Sequence, residues 1–181
     1  MTKRAIVREP KPVLHQAAKE VLPRAISSKR VKKIISDLSD TLRASEDGIG
    51  IAAPQIGVSL RIFVTSEEAL TLGTKNKDVK PLVSDKKKEW RHFVFINPKL
   101  LKASRKKFDD SEGCLSVPHV FGTVPRAEKV KVAAYDERGK KFERGAAGLF
   151  ARLLQHEMDH LDGHLFLEKA RETHRVEKEK V

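Results

Sequence analysis

The chain has 181 residues and a net charge of +12, with 39% hydrophobic and 34% charged side chains. This size and composition favour a globular protein with a single domain over residues 1–181. They exclude membrane-spanning helices, because no apolar run approaches the ~20 residues that such a helix needs. The first residues are charged but precede no apolar segment, so we expect no signal peptide. The single cysteine, Cys114, excludes an intramolecular disulfide and favours the reducing cytoplasm.

Positive charge is concentrated in residues 1–35 and 74–107, whose net charges are +8 and +9. A basic surface of this kind attracts polyanions, including RNA. Solubility alone would explain the same lysines and arginines, and the sequence does not decide between the two explanations.

The first predicted helix runs from about residue 29 to residue 44, where apolar residues are spaced three and four apart. Ser27 or Ser28 is a suitable N-cap for this helix. The glycine- and alanine-rich segment 48–55 interrupts the helical pattern. The apolar run at residues 60–64 then predicts a strand.

The middle of the chain alternates between polar segments and short strands. Residues 71–91 are polar and lysine-rich, which predicts a solvated excursion. Asn97 and Pro98 should end the strand that follows this excursion. Strands are predicted at residues 93–96, at residues 129–135 and from residue 141 onward.

The last long helix is predicted at residues 148–161, with Gly163 as its stop. The tail at residues 167–181 is strongly charged, and we expect it to be helical as well. Strands in the middle of the chain and a long helix late in it indicate the α+β fold class.

The most specific pattern in the chain is a pair of histidines, His156 and His160, with Glu157 directly after the first. Residues four apart share one face of a helix, so both imidazoles can reach one metal ion. This H-E-x-x-H spacing is typical of zinc-type hydrolases. Glu157 is better placed to accept a proton from a metal-bound water than to bind the ion itself. A surface glutamate and two packed histidines are the ordinary alternatives.

Cys114 is the candidate for a third protein ligand, since a catalytic metal usually has three. As a thiolate it is a good ligand for zinc or ferrous iron. A buried structural thiol and a nucleophilic cysteine–histidine pair are the alternatives. Glu112, Gly113 and Ser116 in the same segment are small or polar, which argues against a buried thiol.

Residues 48–55, Gly-Ile-Gly-Ile-Ala-Ala-Pro-Gln, lack the lysine and the glycine spacing of a phosphate-binding loop. Two glycines and two alanines would instead let an extended substrate lie against the backbone, although a tight turn is the plain alternative. Gln55 ends the segment with an amide that could donate to an oxyanion.

Taken together, these segments resemble peptide deformylases. That family is marked by G-φ-G-φ-A-A-x-Q, E-G-C-φ-S and Q-H-E-φ-D-H, where φ is apolar. Every fixed position is matched here, in the same order, at residues 48–55, 112–116 and 155–160. The segment 124–128 is also similar, so the resemblance covers the chain from about residue 48 to residue 167. It implies an α+β fold of small antiparallel sheets packed around a central metal-binding helix, with an N-terminal helix and a C-terminal helix.

The resemblance also implies an activity, the removal of the N-formyl group from the starting methionine of new polypeptides, which releases formate. Cys114, His156 and His160 would hold one divalent ion, with Fe²⁺ as the expected metal and Zn²⁺, Ni²⁺ or Co²⁺ as alternatives. Glu157 would act first as general base and then as general acid.

Further roles implied by the resemblance concern the substrate. Gln55 and the backbone N–H of Leu115 would hold the formyl oxyanion. Arg126 matches a family arginine near the peptide channel. The methionine pocket and the peptide-binding edge would be lined by Ile49, Gly50 and Leu149.

Two other functions remain open on the sequence. A metallopeptidase that cleaves an internal peptide bond would use H-E-x-x-H and Glu157 equally well. A non-catalytic metal-binding or RNA-binding protein is the second, but it would not need both Glu157 and Gln55, and one Trp and one Tyr offer few stacking platforms. The expected partners are N-formylmethionyl nascent peptides and, through the basic segments, the ribosome. We expect a monomer that does not associate with membranes.

Overall fold

The structure, a computed structural model, describes residues 3–71 and 90–176. Its helices are α1 (Lys29–Arg43), α2 (Glu68–Thr71) and α3 (Gly148–Asp162). Its strands are β1 (Gly50–Ala52), β2 (Ile62–Ser66), β3 (His92–Ala103), β4 (Lys107–Cys114), β5 (Val117–Ala127), β6 (Lys129–Tyr135), β7 (Lys141–Ala147) and β8 (Glu172–Arg175). Short 3-10 turns lie at Pro12–His15, Pro23–Ala25, Ala53–Ile56 and Phe166–Glu168. This mixture of helices and antiparallel sheets confirms the α+β fold class. Within the described ranges, no helix is long and apolar enough to cross a membrane.

Helix α1 begins where the sequence predicts. The Ser28 side chain accepts a hydrogen bond from the backbone N–H of Val31 at 3.3 Å, so Ser28 is the N-cap. The apolar residues of the predicted stripe are buried on one face of the helix. They are Val31, Ile34, Ile35, Leu38 and Leu42.

Five antiparallel strands form the larger sheet, in the order β1-β2-β3-β6-β7. Every residue of β2 is buried. Ile62 and Val64 pack in the same apolar cluster as α1, whereas Phe63 packs with residues of α3. Successive side chains of a strand point to opposite faces, so α1 and α3 cover opposite faces of this sheet.

The smaller sheet has three antiparallel strands in the order β4-β5-β8. The pairing of β4 with β5 runs from Lys107 opposite Ala127 to Gly113 opposite Phe121. The register shifts at Cys114, which pairs with Val117 across a tight connection. A β-bulge of this type re-aims a side chain, and here it sits at the candidate metal ligand.

Helix α3 contacts strands of both sheets, including β1, β6 and β7 of the larger and β5 of the smaller. Its Leu153 and Leu154 are buried in the core against the larger sheet. Gly163 ends the helix with φ +81°, and an added Cβ there would lie 2.8 Å from the carbonyl carbon of Gln16. Glycine is therefore required at this position by conformation and by space. The arrangement matches the expected central helix.

Strand β3 continues past Asn97 and Pro98, which were expected to end it. The pairing with β6 shifts register between Ile96 and Lys99, and Asn97 has φ +49°. This irregularity accommodates a proline that cannot donate a ladder hydrogen bond. The Asn97 side chain also accepts from the N–H of Val21 and donates to its carbonyl oxygen, at 2.8 and 2.7 Å.

The tail differs from the helix that its charge pattern predicts. The structure has a 3-10 turn at Phe166–Glu168 and then β8, whose four residues are all exposed. An edge strand paired through its backbone needs no apolar alternation, so its sequence carries no strand signal. Residues 72–89, which make up most of the lysine-rich segment 71–91, lie outside the described residues, as do residues 177–181.

Replacing Leu38 by alanine should lower the free energy of unfolding by about 2–5 kcal/mol, because the side chain is fully buried between α1 and the larger sheet. Urea denaturation followed by circular dichroism measures this change. Leu22→Ala is the matched control, since Leu22 is 58% exposed and should change the stability by no more than about 0.5 kcal/mol. Equal losses in the two variants would contradict the packing described.

Candidate metal centre

Cys114, His156 and His160 lie together between the end of β4 and the middle of α3. Each offers one ligand atom, and these three atoms all lie within 4.8 Å of one another. The Cys114 Sγ is 3.2 Å from the Nε2 of His160. One thiolate and two imidazoles suit a tetrahedral or nearby coordination of Zn²⁺ or Fe²⁺, and three protein ligands leave a position for water or substrate. The donor set therefore fits a catalytic divalent ion.

Glu157 lies beside this group in a closely packed position. It is 2% exposed, and its Oε2 has no hydrogen-bond partner among the described residues. A Cβ added at Gly50 would lie 2.5 Å from Glu157 Oε1 and 2.8 Å from Leu153 Cδ1. Glycine at this position of β1 therefore lets the strand approach the helix closely. The uncommitted carboxylate oxygen is suited to exchange a proton with a water or a substrate.

Gln55 reaches the same centre from the 3-10 turn at Ala53–Ile56. Its side-chain oxygen accepts from the N–H of Ala52 at 2.8 Å, which fixes the amide orientation. Its Nε2 donates to the Ser116 hydroxyl at 3.2 Å and lies 3.5 Å from Cys114 Sγ. Leu115 follows Cys114 directly in the connection to β5. The Gln55 amide donor thus lies next to one ligand, and the backbone N–H of Leu115 is adjacent to the same ligand in the chain.

An extended N-terminal segment is hydrogen-bonded to the two segments that carry Gln55 and Leu115. The N–H of Val7 donates to the carbonyl oxygen of Gln55 at 2.8 Å, and the N–H of Glu9 donates to that of Ser116 at 3.0 Å. Sequence patterns gave no sign of this role, because backbone hydrogen bonds leave no mark on residue type.

A buried carboxylate lies behind the first histidine. Glu112 Oε2 is 3.0 Å from His156 Nδ1, so the other ring nitrogen, Nε2, is left for a metal. Glu112 is in turn held by Arg126, whose Nε and Nη2 donate to its two oxygens at 2.8 and 2.9 Å. Sequence reasoning assigned no role to Glu112, although it occupies a fixed position of the E-G-C segment.

Arg126 is placed differently from the expectation that it lies near the peptide channel. It is 4% exposed, and its guanidinium also donates to Asp159 Oδ2 at 2.5 Å. Both carboxylates are buried, so the guanidinium is fully committed to ion pairs behind the ligands. The structure gives Arg126 a supporting position for Glu112 rather than a contact with substrate.

The pKa values of the titratable groups follow from burial and from these contacts. Burial lowers the pKa of His160 well below its usual value, so its imidazole is neutral. Burial also lowers the pKa of His156, but hydrogen bonds with Cys114 and Glu112 outweigh this effect and raise it to about 10. A divalent ion held by His156 would therefore displace a proton as it binds. Burial raises the pKa of Glu157 to about 7, in the range that suits a general base and acid.

The remaining substrate-binding candidates lie at the edges of the centre. Gly50 touches the Glu157 side chain, and Ile49 packs against the apolar cluster that includes Leu153. Leu149 is half-buried in the first turn of α3, seven residues before His156. Two turns of helix place it on the same side as that ligand, about 10 Å away along the axis.

Comparison with known proteins now identifies the family. The family model for polypeptide deformylase matches residues 3–176. The chain belongs to the polypeptide deformylase family.

Individual deformylases support this assignment over most of the chain. Peptide deformylase 1A, chloroplastic/mitochondrial, of Arabidopsis thaliana is 42% identical over 91% of this chain, which spans 60% of that relative's length. Peptide deformylase 1 of Bacillus subtilis is 37% identical, over 93% of this chain and 91% of the relative. The solved structure of class I type b peptide deformylase from Acinetobacter baumannii with Met-Ala-Ser bound has a TM-score of 0.76 and 32% identity, covering 92% of this chain and 98% of that one. The family and the fold therefore agree.

Proposed function

We propose that this chain is a peptide deformylase, a hydrolase that removes the N-formyl group from N-formylmethionine at the start of new polypeptides and releases formate. The observation that carries the proposal is the group of three ligand atoms from Cys114, His156 and His160 beside the buried Glu157 carboxylate. Membership of the deformylase family supports it. The Met-Ala-Ser in the Acinetobacter structure is a peptide of the kind that this reaction would release.

Fe²⁺ is the metal we propose, with Zn²⁺, Ni²⁺ and Co²⁺ as ions the same ligands would accept. A divalent ion held by one thiolate and two imidazoles supplies a Lewis acid that polarises the formyl carbonyl and acidifies a bound water. A thiolate ligand also makes the centre sensitive to oxidation. The reducing cytoplasm is therefore the location we propose.

Residues of the chain itself carry out the proton transfers and stabilise the oxyanion. Glu157 takes a proton from the attacking water as the new C–O bond forms. The Gln55 Nε2 and the N–H of Leu115 donate to the oxygen that gains negative charge. As the C–N bond breaks, Glu157 returns the proton to the leaving nitrogen. One water and one formamide thus become formate and a free amine.

Substrate binding is proposed at the edge of the centre that faces β1. Ile49 and Leu149 would contact the methionine side chain. β1 is an edge strand of the larger sheet, so an extended peptide could pair along its free edge near Gly50. A formyl carbon carries only hydrogen besides its oxygen and nitrogen, so it is small enough to reach a buried metal. The single-domain organisation and the monomeric state stay predictions.

Replacing Gln55 by alanine should lower kcat by about 10²–10³-fold, because one of the two oxyanion donors is lost. Formate release from a formyl-Met-peptide measures this change. Gln16→Ala is a suitable control, since Gln16 is exposed on the N-terminal segment. A Gln55→Ala enzyme with unchanged kcat would remove Gln55 from the oxyanion hole.

We also propose that the basic segments bind the ribosome. In the described part of segment 74–107, Lys99 and Lys102 are exposed on β3, and Lys102 lies directly opposite Lys131 of β6. Lys131 is paired with Glu143 at 2.6 Å and Lys99 with Glu20 at 3.4 Å, so carboxylates offset part of this charge. Lys102 adds a further positive charge beside them, which would favour binding of a polyanion.

Reversing Lys99 and Lys102 to glutamate should abolish co-sedimentation with ribosomes at low salt. The matched control is reversal of Arg138 and Lys140, which are exposed at the β6–β7 turn and change the net charge equally. Equal co-sedimentation of the two double variants would contradict a ribosome contact through β3.

A further inference from the structure

Arg152 lies on α3 one turn before His156, and both side chains contact Glu112. The Arg152 Nη1 donates to Glu112 Oε1 at 2.8 Å, whereas His156 Nδ1 lies 3.0 Å from Glu112 Oε2. Residues four apart on a helix share a face, so one carboxylate can connect them. Arg126 holds the same carboxylate from β5. Arg126 and Arg152 thus fix the orientation of Glu112 from two sides, and this carboxylate in turn contacts His156.

The same guanidinium also fastens the helix to the smaller sheet. Its Nη2 donates to the carbonyl oxygen of Phe108 at 2.7 Å, and its Nη1 donates to that of Val124 at 2.7 Å and lies 3.4 Å from that of Asp110. Arg152 is 6% exposed. A planar guanidinium spreads five N–H donors over three nitrogens, so it can reach acceptors on two sides at once, whereas a lysine carries three donors on a single nitrogen. Arg152 therefore joins α3 to β4, the strand that ends at Cys114.

Opposite charges are paired in this buried region, where Lys169 also contacts Asp159 from the surface. Two arginines, Arg126 and Arg152, face two carboxylates, Glu112 and Asp159, and all four residues are less than 9% exposed. A buried charge without a partner is strongly unfavourable, so loss of one arginine would disturb the carboxylate it holds. Arg126 pairs with both carboxylates, whereas Arg152 pairs with Glu112 and not with Asp159.

We propose that Arg152 is a positioning residue for the metal centre: through Glu112 it holds His156 in the orientation and tautomer that present Nε2 to the ion. This inference rests on the metal site of the proposed function. The carboxylate partner of a metal-bound histidine fixes its ring, and loss of such a partner typically costs about 10–100-fold in metal affinity. Arg152 acts one contact further out, and it also secures the strand that carries the thiolate ligand.

The first test is Zn²⁺ affinity, measured by competition with a chromophoric chelator. Arg152→Met should weaken Zn²⁺ binding by about 10-fold or more. Arg152→Lys should recover part of the loss, because an ammonium can meet one oxygen of Glu112 but not the strand carbonyls as well. The control is Arg144→Met on β7, whose guanidinium stacks over Phe93 at 4.8 Å and should leave Zn²⁺ affinity unchanged.

A double-mutant cycle with Glu112→Gln separates this role from a general loss of structure. If Arg152 acts through Glu112, Arg152→Met should have much less effect on Zn²⁺ affinity in the Glu112→Gln background than in the wild type. The absorption spectrum of the Co²⁺-loaded protein should also change in Arg152→Met and not in Arg144→Met. Equal fold-losses in both backgrounds, or wild-type affinity in folded Arg152→Met, would overturn the proposal.

Folding of the variants is checked by circular dichroism in the same samples. If Arg152→Met does not fold, Arg152→Gln replaces it in the cycle, since an amide keeps a donor for one strand carbonyl but carries no charge. The same two outcomes then decide the proposal.

Failure of the proposed function can be distinguished from failure of this inference, because a wild-type protein that binds Zn²⁺ but releases no formate leaves the affinity cycle intact. An additive cycle alongside normal formate release would refute only the role of Arg152.

Discussion

Glu157→Ala should retain the metal and lower kcat by about 10²–10⁴-fold, the range typical for loss of a positioned general base. The three ligand atoms come from Cys114, His156 and His160, so truncation of Glu157 removes none of them. The proton transfers to and from the formamide lose their carrier. KM should change far less than kcat, because the lost interaction belongs to the transition state. Formate release and metal analysis of the same preparation measure both parts of this prediction.

Two controls define the result for Glu157. Glu143→Gln changes an exposed carboxylate on β7, which is paired with Lys131 at 2.6 Å, and should leave kcat unchanged. Glu157→Gln keeps the shape of the side chain and should lose turnover as the alanine variant does. Near-normal deformylation by a metal-loaded Glu157→Ala enzyme would remove the general-base assignment, and loss of the metal would show that Glu157 supports the ligands instead.

Cys114→Ser should weaken Zn²⁺ binding by more than about 100-fold. Loss of a residue that only hydrogen-bonds to a metal ligand typically costs about 10–100-fold in metal affinity, and here a ligand itself is lost. A serine hydroxyl stays protonated at neutral pH and is a poorer donor than a thiolate to zinc or ferrous iron. The thiol also lies 3.5 Å from Gln55 Nε2 and 3.4 Å from the N–H of Ser116, so the oxyanion hole should be disturbed with it. Chelator competition gives the affinity, and the Co²⁺ spectrum shows whether sulfur is bound.

Ser111→Ala on the exposed part of β4 is the control for Cys114→Ser. It changes a small side chain on the same strand and should leave metal affinity and the Co²⁺ spectrum as in the wild type. Wild-type affinity in Cys114→Ser would show that the thiol is not a ligand. The alternatives of a structural thiol or a nucleophile would then return.

The elements that the sequence predicted well are those whose side chains pack against apolar surfaces. Helices α1 and α3 carry long apolar stripes, and β2 and β6 carry short apolar or alternating runs. Strands β4 and β5 were not predicted, because the buried residues that meet between them include Glu112 and Arg126. The single buried residue of β4 is Glu112, and β5 mixes buried Val117 and Val124 with Gly122 and Arg126, so neither strand shows a clear apolar alternation. The tail strand β8 was missed for a related reason, since all of its residues are exposed.

The ligands could be found from sequence because cysteine and paired histidines are rare and because H-E-x-x-H has a fixed helical geometry. The ion-pair network behind them could not, since Glu112 lies 40 residues from Arg152 in the chain and 44 from His156. Arginine, aspartate and glutamate are also common on surfaces, where they carry no such role. One signal was available: Glu112 and Asp159 occupy fixed polar positions of the two ligand-bearing motifs, and no catalytic role had been assigned to them.

The most direct test of the proposed function is formate release by protein purified without oxygen and loaded with Fe²⁺. Formyl-Met-Ala-Ser is the substrate, acetyl-Met-Ala-Ser is the matched control, and mass spectrometry follows both peptides. We expect one formate and one free Met-Ala-Ser per turnover, with no change in the acetylated peptide. Cleavage at an internal peptide bond, or no formate from fully loaded protein, would contradict the proposed function.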